Sequence, residues 1–190
     1  MNLHDLITRN RSYRRFDQKF RIEREKLTDL VGLARLSASG ANRQPLKFMI
    51  FNSENDCRLI FPFTMWAGYL EDWEGPSEGE RPSAYIIVLG DRSITEGFGV
   101  DHGIAAQSIM LGAAEAGLGG CIIGSIRKDD LRRTLKIDDK YAILLVLAIG
   151  KPAEEVVIEE VKEGEIKYWR DKSGVHHVPK RNINDLIINK

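Results

Sequence analysis

Four guanidinium groups and a hydroxyl fall within seven residues near the N-terminus, in Arg9-Asn10-Arg11-Ser12-Tyr13-Arg14-Arg15. Guanidinium forks match phosphate oxygens two at a time and serine adds a small donor, so this density fits a phosphate monoester. A solvated basic turn paired with surface carboxylates is the competing reading. A second constellation, Ser37-Ala38-Ser39-Gly40-Ala41-Asn42-Arg43-Gln44-Pro45, carries two side-chain amides. Each offers a donor and an acceptor, as the edge of a heterocycle such as a pyrimidine requires; ordinary helix-stop chemistry is the alternative. In the third, Gly117-Leu118-Gly119-Gly120-Cys121-Ile122-Ile123-Gly124, glycines let the backbone approach a flat or anionic ligand. Its glycines follow a helix and open a strand, the reverse of the dinucleotide-binding fingerprint, which argues against that role.

Other chemistries find little support. His4, His102, His176 and His177 form no ligand spacing with cysteines or carboxylates, so no metal is expected, and adjacent His176 and His177 in an extended segment would point to opposite faces. There is no nucleophile elbow and no P-loop. Trp66, Tyr69 and Trp73 read as packing residues, with an aromatic pocket as the other reading. Cys57 and Cys121 are the only cysteines, in no pair that would make a disulfide framework, and Cys121 reads as core.

The elements that must position these groups follow from periodicity. Arg24 to Ala38 places Leu27, Leu30, Val31, Ala34 and Ala38 at helical spacing. Phe48–Phe51 and Ala84–Leu89 read as strands. A helix opens at Asp101 as N-cap and ends at Gly117. Cys121–Ile123 is a short strand, Ser125 caps a charged helix over 128–135, and Ile143–Ile149 is a long buried strand. Residues 59–82 read as a short helix and a loop. The chain of 190 residues is expected to form one domain, 1–190, with 153–190 a polar C-terminal extension that wraps over something. Lysine and arginine number 28 and so do aspartate and glutamate, which disfavours nucleic acid or an anionic membrane as partner. No apolar stretch is of membrane-spanning length. Met1-Asn2-Leu3-His4-Asp5 lacks the pattern of a secretory signal, so a cytoplasmic location is expected.

The three constellations in this order, with Ala148-Ile149-Gly150-Lys151-Pro152-Ala153-Glu154 and a late Val178-Pro179-Lys180-Arg181, resemble the nitroreductase family of flavin oxidoreductases over nearly the whole chain. The resemblance implies an α+β fold, a central mixed, mainly antiparallel sheet flanked by helices, in an intertwined homodimer whose tails embrace the partner. It implies tightly bound FMN, NAD(P)H as electron donor, and a ping-pong reaction that reduces a nitroaromatic, a quinone or a similar small acceptor. It assigns the flavin phosphate to Arg11, Ser12 and Arg14 with Lys180 and Arg181, and a further cofactor contact to Tyr13. Ser39, Gly40, Asn42 and Gln44 would touch the flavin partly from the partner subunit, and the backbone of Ile122, Ile123 and Gly124 would lie against the ring. Chemistry resides on such a cofactor, so no catalytic side chain is expected. Three departures stand out: Asn10 replaces a common arginine, Gly40 and Arg43 are unusual in the second loop, and the middle segment lacks an Asn-x-x-Lys pair. Arg43 and Lys47 are the candidates for the donor that would stabilise the anionic reduced flavin. A specialised reaction such as reductive dehalogenation, or flavin binding without turnover, is the alternative.

Overall fold

A computed structural model describes residues 2–188. In chain order its regular elements begin with α1 (Leu3–Arg9), β1 (Phe16–Asp17), α2 (Arg24–Leu36), β2 (Leu46–Phe51), α3 (Glu54–Ile60), β3 (Ala84–Asp91) and α4 (Asp101–Glu115). They continue with β4 (Gly119–Ile123), α5 (Lys128–Leu135), β5 (Tyr141–Pro152), β6 (Val156–Glu160), β7 (Trp169–Arg170) and β8 (His176–Lys180). Among the described residues no helix is long and apolar enough to cross a membrane.

β5 organises the main sheet. It pairs antiparallel with β3 along one edge, and on the other edge with β4 and then with β1 at its end. β2 closes the far side against β3. Continuous apolar runs suit strands covered on both faces, and all eight residues of β3 are buried. On one face Tyr85, Ile87, Val146 and Ala148 pack with Cys57, Ile60, Trp66 and Leu131. On the other, Ile86, Val88, Leu147 and Ile149 meet Leu27, Leu30 and Ala34 of α2 and Ala105, Ile109 and Ala113 of α4. The two helices approach closely because Gly112 has no side chain; a Cβ there would collide with Leu33 and crowd Leu30.

The structure departs from the sequence reading at several points. α2 ends at Leu36, with Ser37 at its C-cap. Asp101 is the first residue of α4 rather than its cap, because its carboxylate accepts instead from Ser39 Oγ and the Gly40 N–H. Ser125 does not cap α5, whose N-cap position is Arg127; the Ser125 carbonyl accepts from Met65 N–H at 3.0 Å. α1 and β1 carry too short a pattern for periodicity to reveal. The tail also has structure where periodicity fades: parallel β6–β8 and antiparallel β7–β8 form a second, three-stranded sheet.

Glycines let the layers meet at β4. A Cβ on Gly120 would strike the Ala148 carbonyl and Met110, and one on Gly119 would enter the Tyr13 ring, whereas one on Gly124 would meet only Leu145 at 4.0 Å. Gly120→Ala is therefore expected to cost about 1–3 kcal/mol of stability through overpacking, and Gly124→Ala to stay within about 0.5 kcal/mol of the parent. Urea unfolding of the two variants measures both, and equal midpoints would show that β4 has room to move.

Candidate functional site

The first and third constellations meet. Ser12 and Gly120 form a parallel bridge, and Tyr13 N–H donates to the Gly120 carbonyl at 2.9 Å. The arginine segment thereby runs beside β4. Beyond it lies a cleft of about 230 Å³ lined by Arg14, Cys121, Ile122, Ile123, Gly124 and Ser125 on one side and Met65, Trp66, Ala67 and Gly68 on the other. The second wall is held by the Thr64–Ile126 bridge and by Arg127 N–H donating to the Phe63 carbonyl at 3.0 Å. Trp66 is core and wall together, its indole N–H donating to Thr64 Oγ1 at 3.0 Å. Ile122 is 40% exposed while Ile123 is buried, as alternation along a strand requires.

Arg14 is 8% exposed. Its Nη1 donates to the Ser12 carbonyl at 3.0 Å and lies 3.1 Å from His176 Nε2, and its guanidinium covers the Tyr168 ring at 4.8 Å. Arginine has no acceptor and stays protonated, so His176 Nε2 must accept and the imidazole is the neutral Nδ1–H form. The same conclusion follows from electrostatics: burial first, then the charges of Arg14, Arg170 and His177, lower the His176 pKa to about 4. Behind Arg14, the Glu154 side chain is 1% exposed. It accepts from the backbone N–H groups of Arg14 and Arg15 and from Arg170 Nη2 at 2.7 Å. Glu154 thus pairs with Arg170, and among the described residues Arg14 forms no salt bridge, which leaves its positive charge at the cleft. Arg14 Nε is buried without a hydrogen-bond partner, as are the Nε atoms of Arg11, Arg15 and Arg170.

The remaining residues of the first segment serve its shape. Arg11 Nη2 donates to the Ile7 carbonyl at 2.7 Å, and desolvation by burial lowers its pKa. Tyr13 Oη donates to the Arg9 carbonyl at 3.2 Å. Cys121 is a free, buried thiol whose pKa burial raises.

The second constellation lies elsewhere in the chain. Leu46, which follows it, and Ile123 at the cleft are on strands three positions apart, a separation of roughly 14 Å across a sheet at about 4.8 Å per strand. Ala41, Asn42 and Gln44 have φ of 50°, 53° and 52°, a left-handed conformation that costs a non-glycine residue on the order of 1 kcal/mol or more. Asp101 holds this loop through Ser39 Oγ at 2.6 Å and Gly40 N–H at 2.9 Å, and Ser39 Oγ accepts in turn from Gln44 N–H at 2.9 Å. The Gln44 amide donates to the Asn42 carbonyl and to Asn42 Oδ1. Arg43 lines a separate depression with Gly40, Thr95 and Phe98, and Lys47 stands opposite Leu89 in the β2–β3 ladder. Lys180 and Arg181 are exposed at the far end of β8, four and five residues beyond buried His176.

Sequence reasoning missed Glu154, Tyr168, Arg170 and His176. Glu154 closed a quoted motif, yet an acidic residue after a strand reads as solvated; the only signal for His176 was the expected opposite facing of the histidine pair. His177 does take the opposite side of β8, stacked on Trp169 at 4.8 Å and held by Glu159 at 2.5 Å and Asp171 at 3.5 Å, and the Glu159 carboxylate, followed by Asp171, raises its pKa.

The model of the nitroreductase family matches residues 7–151. YodC of Bacillus subtilis (strain 168), which carries the name of an NAD(P)H nitroreductase, is 21% identical over 79% of this chain and 89% of its own. YdgI of the same organism, named likewise, is 23% identical over 80% and 88%. Among solved structures, a nitroreductase family protein of Clostridium difficile 630 superposes with a TM-score of 0.70 at 18% identity, covering 100% of this chain and 99% of the other. A protein of Exiguobacterium sibiricum 255-15, described as a nitroreductase in complex with FMN, gives 0.70 at 20% identity over 100% and 98%.

The Ser39 hydroxyl, followed by the Gly40 N–H, lowers the Asp101 pKa. A lowered carboxylate contributes stability that is complete above the unfolded-state pKa, about 3.9 for aspartate, and lost as pH falls through the folded value. The parent is therefore expected to exceed Asp101→Asn by about 1–3 kcal/mol at neutral pH. Urea unfolding from pH 7 down to pH 3 should show that difference shrinking; a constant difference would mean that the loop does not depend on the charge.

Proposed function

The chain belongs to the nitroreductase family, and from that premise we propose that it is an oxidoreductase using bound FMN to carry hydride from NAD(P)H to an electron-poor small molecule, such as a nitroaromatic or a quinone, with donor and acceptor taking turns at one face. The observation that carries the reading is the cleft where buried Arg14 meets the backbone of Ile122 to Gly124. The donor set suits such a cofactor: excess guanidinium charge for an anionic group, backbone amides for a ring edge, and an apolar wall of Ile122, Trp66 and Ala67 for a flat surface. The names of the two Bacillus relatives support the choice of electron donor, and the FMN complex of the Exiguobacterium protein supports the choice of cofactor.

In this reading Arg11, Ser12, Tyr13 and Arg14 hold the flavin with the β4 backbone of their own chain. Arg14, fixed at the cleft, is the positive donor toward the flavin, since Arg43 lines a separate depression and Lys47 lies on β2. The loop of Ser39, Gly40, Asn42 and Gln44 reaches the flavin from a second copy, and so do Lys180 and Arg181. Support for a homodimer comes from that separation within one chain and from exposed apolar side chains: Leu33, Leu36, Val100 and Ile104 on or beside α2 and α4, and Ile183, Leu186 and Ile187 at the chain end. A second copy would take this surface out of water.

The purified protein is expected to be yellow, to release FMN on acid treatment, and to lose its visible absorbance when NADH or NADPH is added without oxygen. A colourless chain that takes up no added FMN overturns the proposal; a flavin that the nicotinamides do not bleach makes the protein a carrier. Arg14→Ala removes a charge-assisted hydrogen bond of roughly 1.5–3 kcal/mol, so FMN should bind about ten- to a hundredfold more weakly. Flavin fluorescence titration reads this directly, and unchanged affinity would remove Arg14 from the site.

A further inference from the structure

We propose that His176 and Glu154 are positioning residues, through which the chain's own C-terminal segment sets the Arg14 guanidinium at the wall of the cleft; this rests on reading that cleft as the FMN site. Glu154 fixes the backbone, because its carboxylate accepts from the N–H groups of Arg14 and Arg15 together. His176 fixes the side chain, because its Nε2 is an acceptor 3.1 Å from Arg14 Nη1. Tyr168 adds its ring face at 4.8 Å and itself packs against the His176 ring at 5.2 Å. His176 is 0% exposed, and its backbone N–H is tied to the Glu155 carbonyl at 2.9 Å. The acceptor therefore cannot swing away while β8 stays in place.

The arrangement has a chemical consequence. Arg14, Arg170 on β7 and His177 on β8 are the charged or titratable groups acting on His176, with Tyr168 against its ring and Glu154 paired to Arg170. A protonated imidazole has two N–H donors and no acceptor. Acid would thus turn the Arg14 contact from a hydrogen bond into a repulsion, and Arg14 would lose the geometry in which it serves the flavin. A merely structural ion-pair cluster would change stability without moving flavin affinity in this way.

The test is the FMN dissociation constant of the full chain, by flavin fluorescence from pH 8 to pH 3.5, for the parent, His176→Gln, His176→Phe and Glu154→Gln, with circular dichroism confirming the fold at each pH. His176→Gln keeps an amide acceptor and should bind within about threefold of the parent at pH 7.5, while His176→Phe removes the acceptor and should bind about tenfold more weakly. Glu154→Gln should weaken binding too. The parent should lose about fourfold more affinity than His176→Gln on reaching pH 3.5, because the variant lacks the imidazole that protonates near pH 4. Folded His176→Phe and Glu154→Gln that bind like the parent overturn the proposal. If His176→Phe does not fold, identical acid limbs for the parent and His176→Gln overturn it. A parent that binds no FMN removes the flavin reading as well, whereas a parent that binds beside indifferent variants removes the positioning role alone.

Discussion

A buried carboxylate must be compensated or it unfolds its surroundings, and Glu154 is such a carboxylate, with 1% of its side chain exposed. It joins three parts of the chain: it lies just after β5, it accepts from the backbone of Arg14 and Arg15, and it pairs with Arg170 on β7. Satisfying one charge therefore ties the N-terminal segment, the central strand and the tail to a single point. The tail is too polar to build a core alone, and this tie, with the burial of His176, gives it a place on its own chain. Removing one partner of such a group costs about 3–5 kcal/mol, more than most single contacts.

The sheet turns that tie into a site. β5 is long enough to pair with β3 throughout and still to carry β4 and β1 in tandem on its other edge. The Ser12–Gly120 bridge lays the arginine segment on β4, and Gly119, having no side chain, leaves room for the Tyr13 ring. The exposed end of β4 and the arginine segment consequently share one cleft, and the middle segment supplies the facing wall. The second loop is built by a different device. Three left-handed non-glycine residues are held by one aspartate at the start of α4, so its strain is offset by tertiary anchoring rather than relieved by glycines.

Much of this was legible in the sequence, and the rest was not for identifiable reasons. β3, β5, α2 and α4 follow from apolar periodicity because each buries a face or both faces. Pairing in the ladders lengthens the strands beyond their apolar cores, so β5 runs from Tyr141 to Pro152 rather than from Ile143 to Ile149. The arginine cluster and the glycine turn were visible as chemistry, but their meeting depends on a backbone bridge between residues more than a hundred positions apart, which no local pattern encodes. Asp101 shows the same limit: its type suits a helix cap, and only the fold decides that Ser39 and Gly40 take its oxygens first. The tail strands carry alternating charge because their outward side chains pair with one another, as His177 does with Glu159 and Asp171, and such a pattern resembles a solvated segment.

The cation at the cleft is also of an unusual kind. A surface lysine would arrive with most of its rotamer freedom and its water, and both would be lost on binding an anion. Arg14 has already given up both: its guanidinium is held by the Ser12 carbonyl, His176 and the Tyr168 ring. That cost is met by folding, so a ligand that accepts from Arg14 does not have to order it again, and the interaction operates where water screens it least. The same burial requires the neighbouring histidine to stay neutral, since its proton would be a third positive charge beside Arg14 and Arg170. Preorganisation of the donor and neutrality of His176 are thus two results of one constraint: charges in this corner of the fold must be balanced by the few groups that share it.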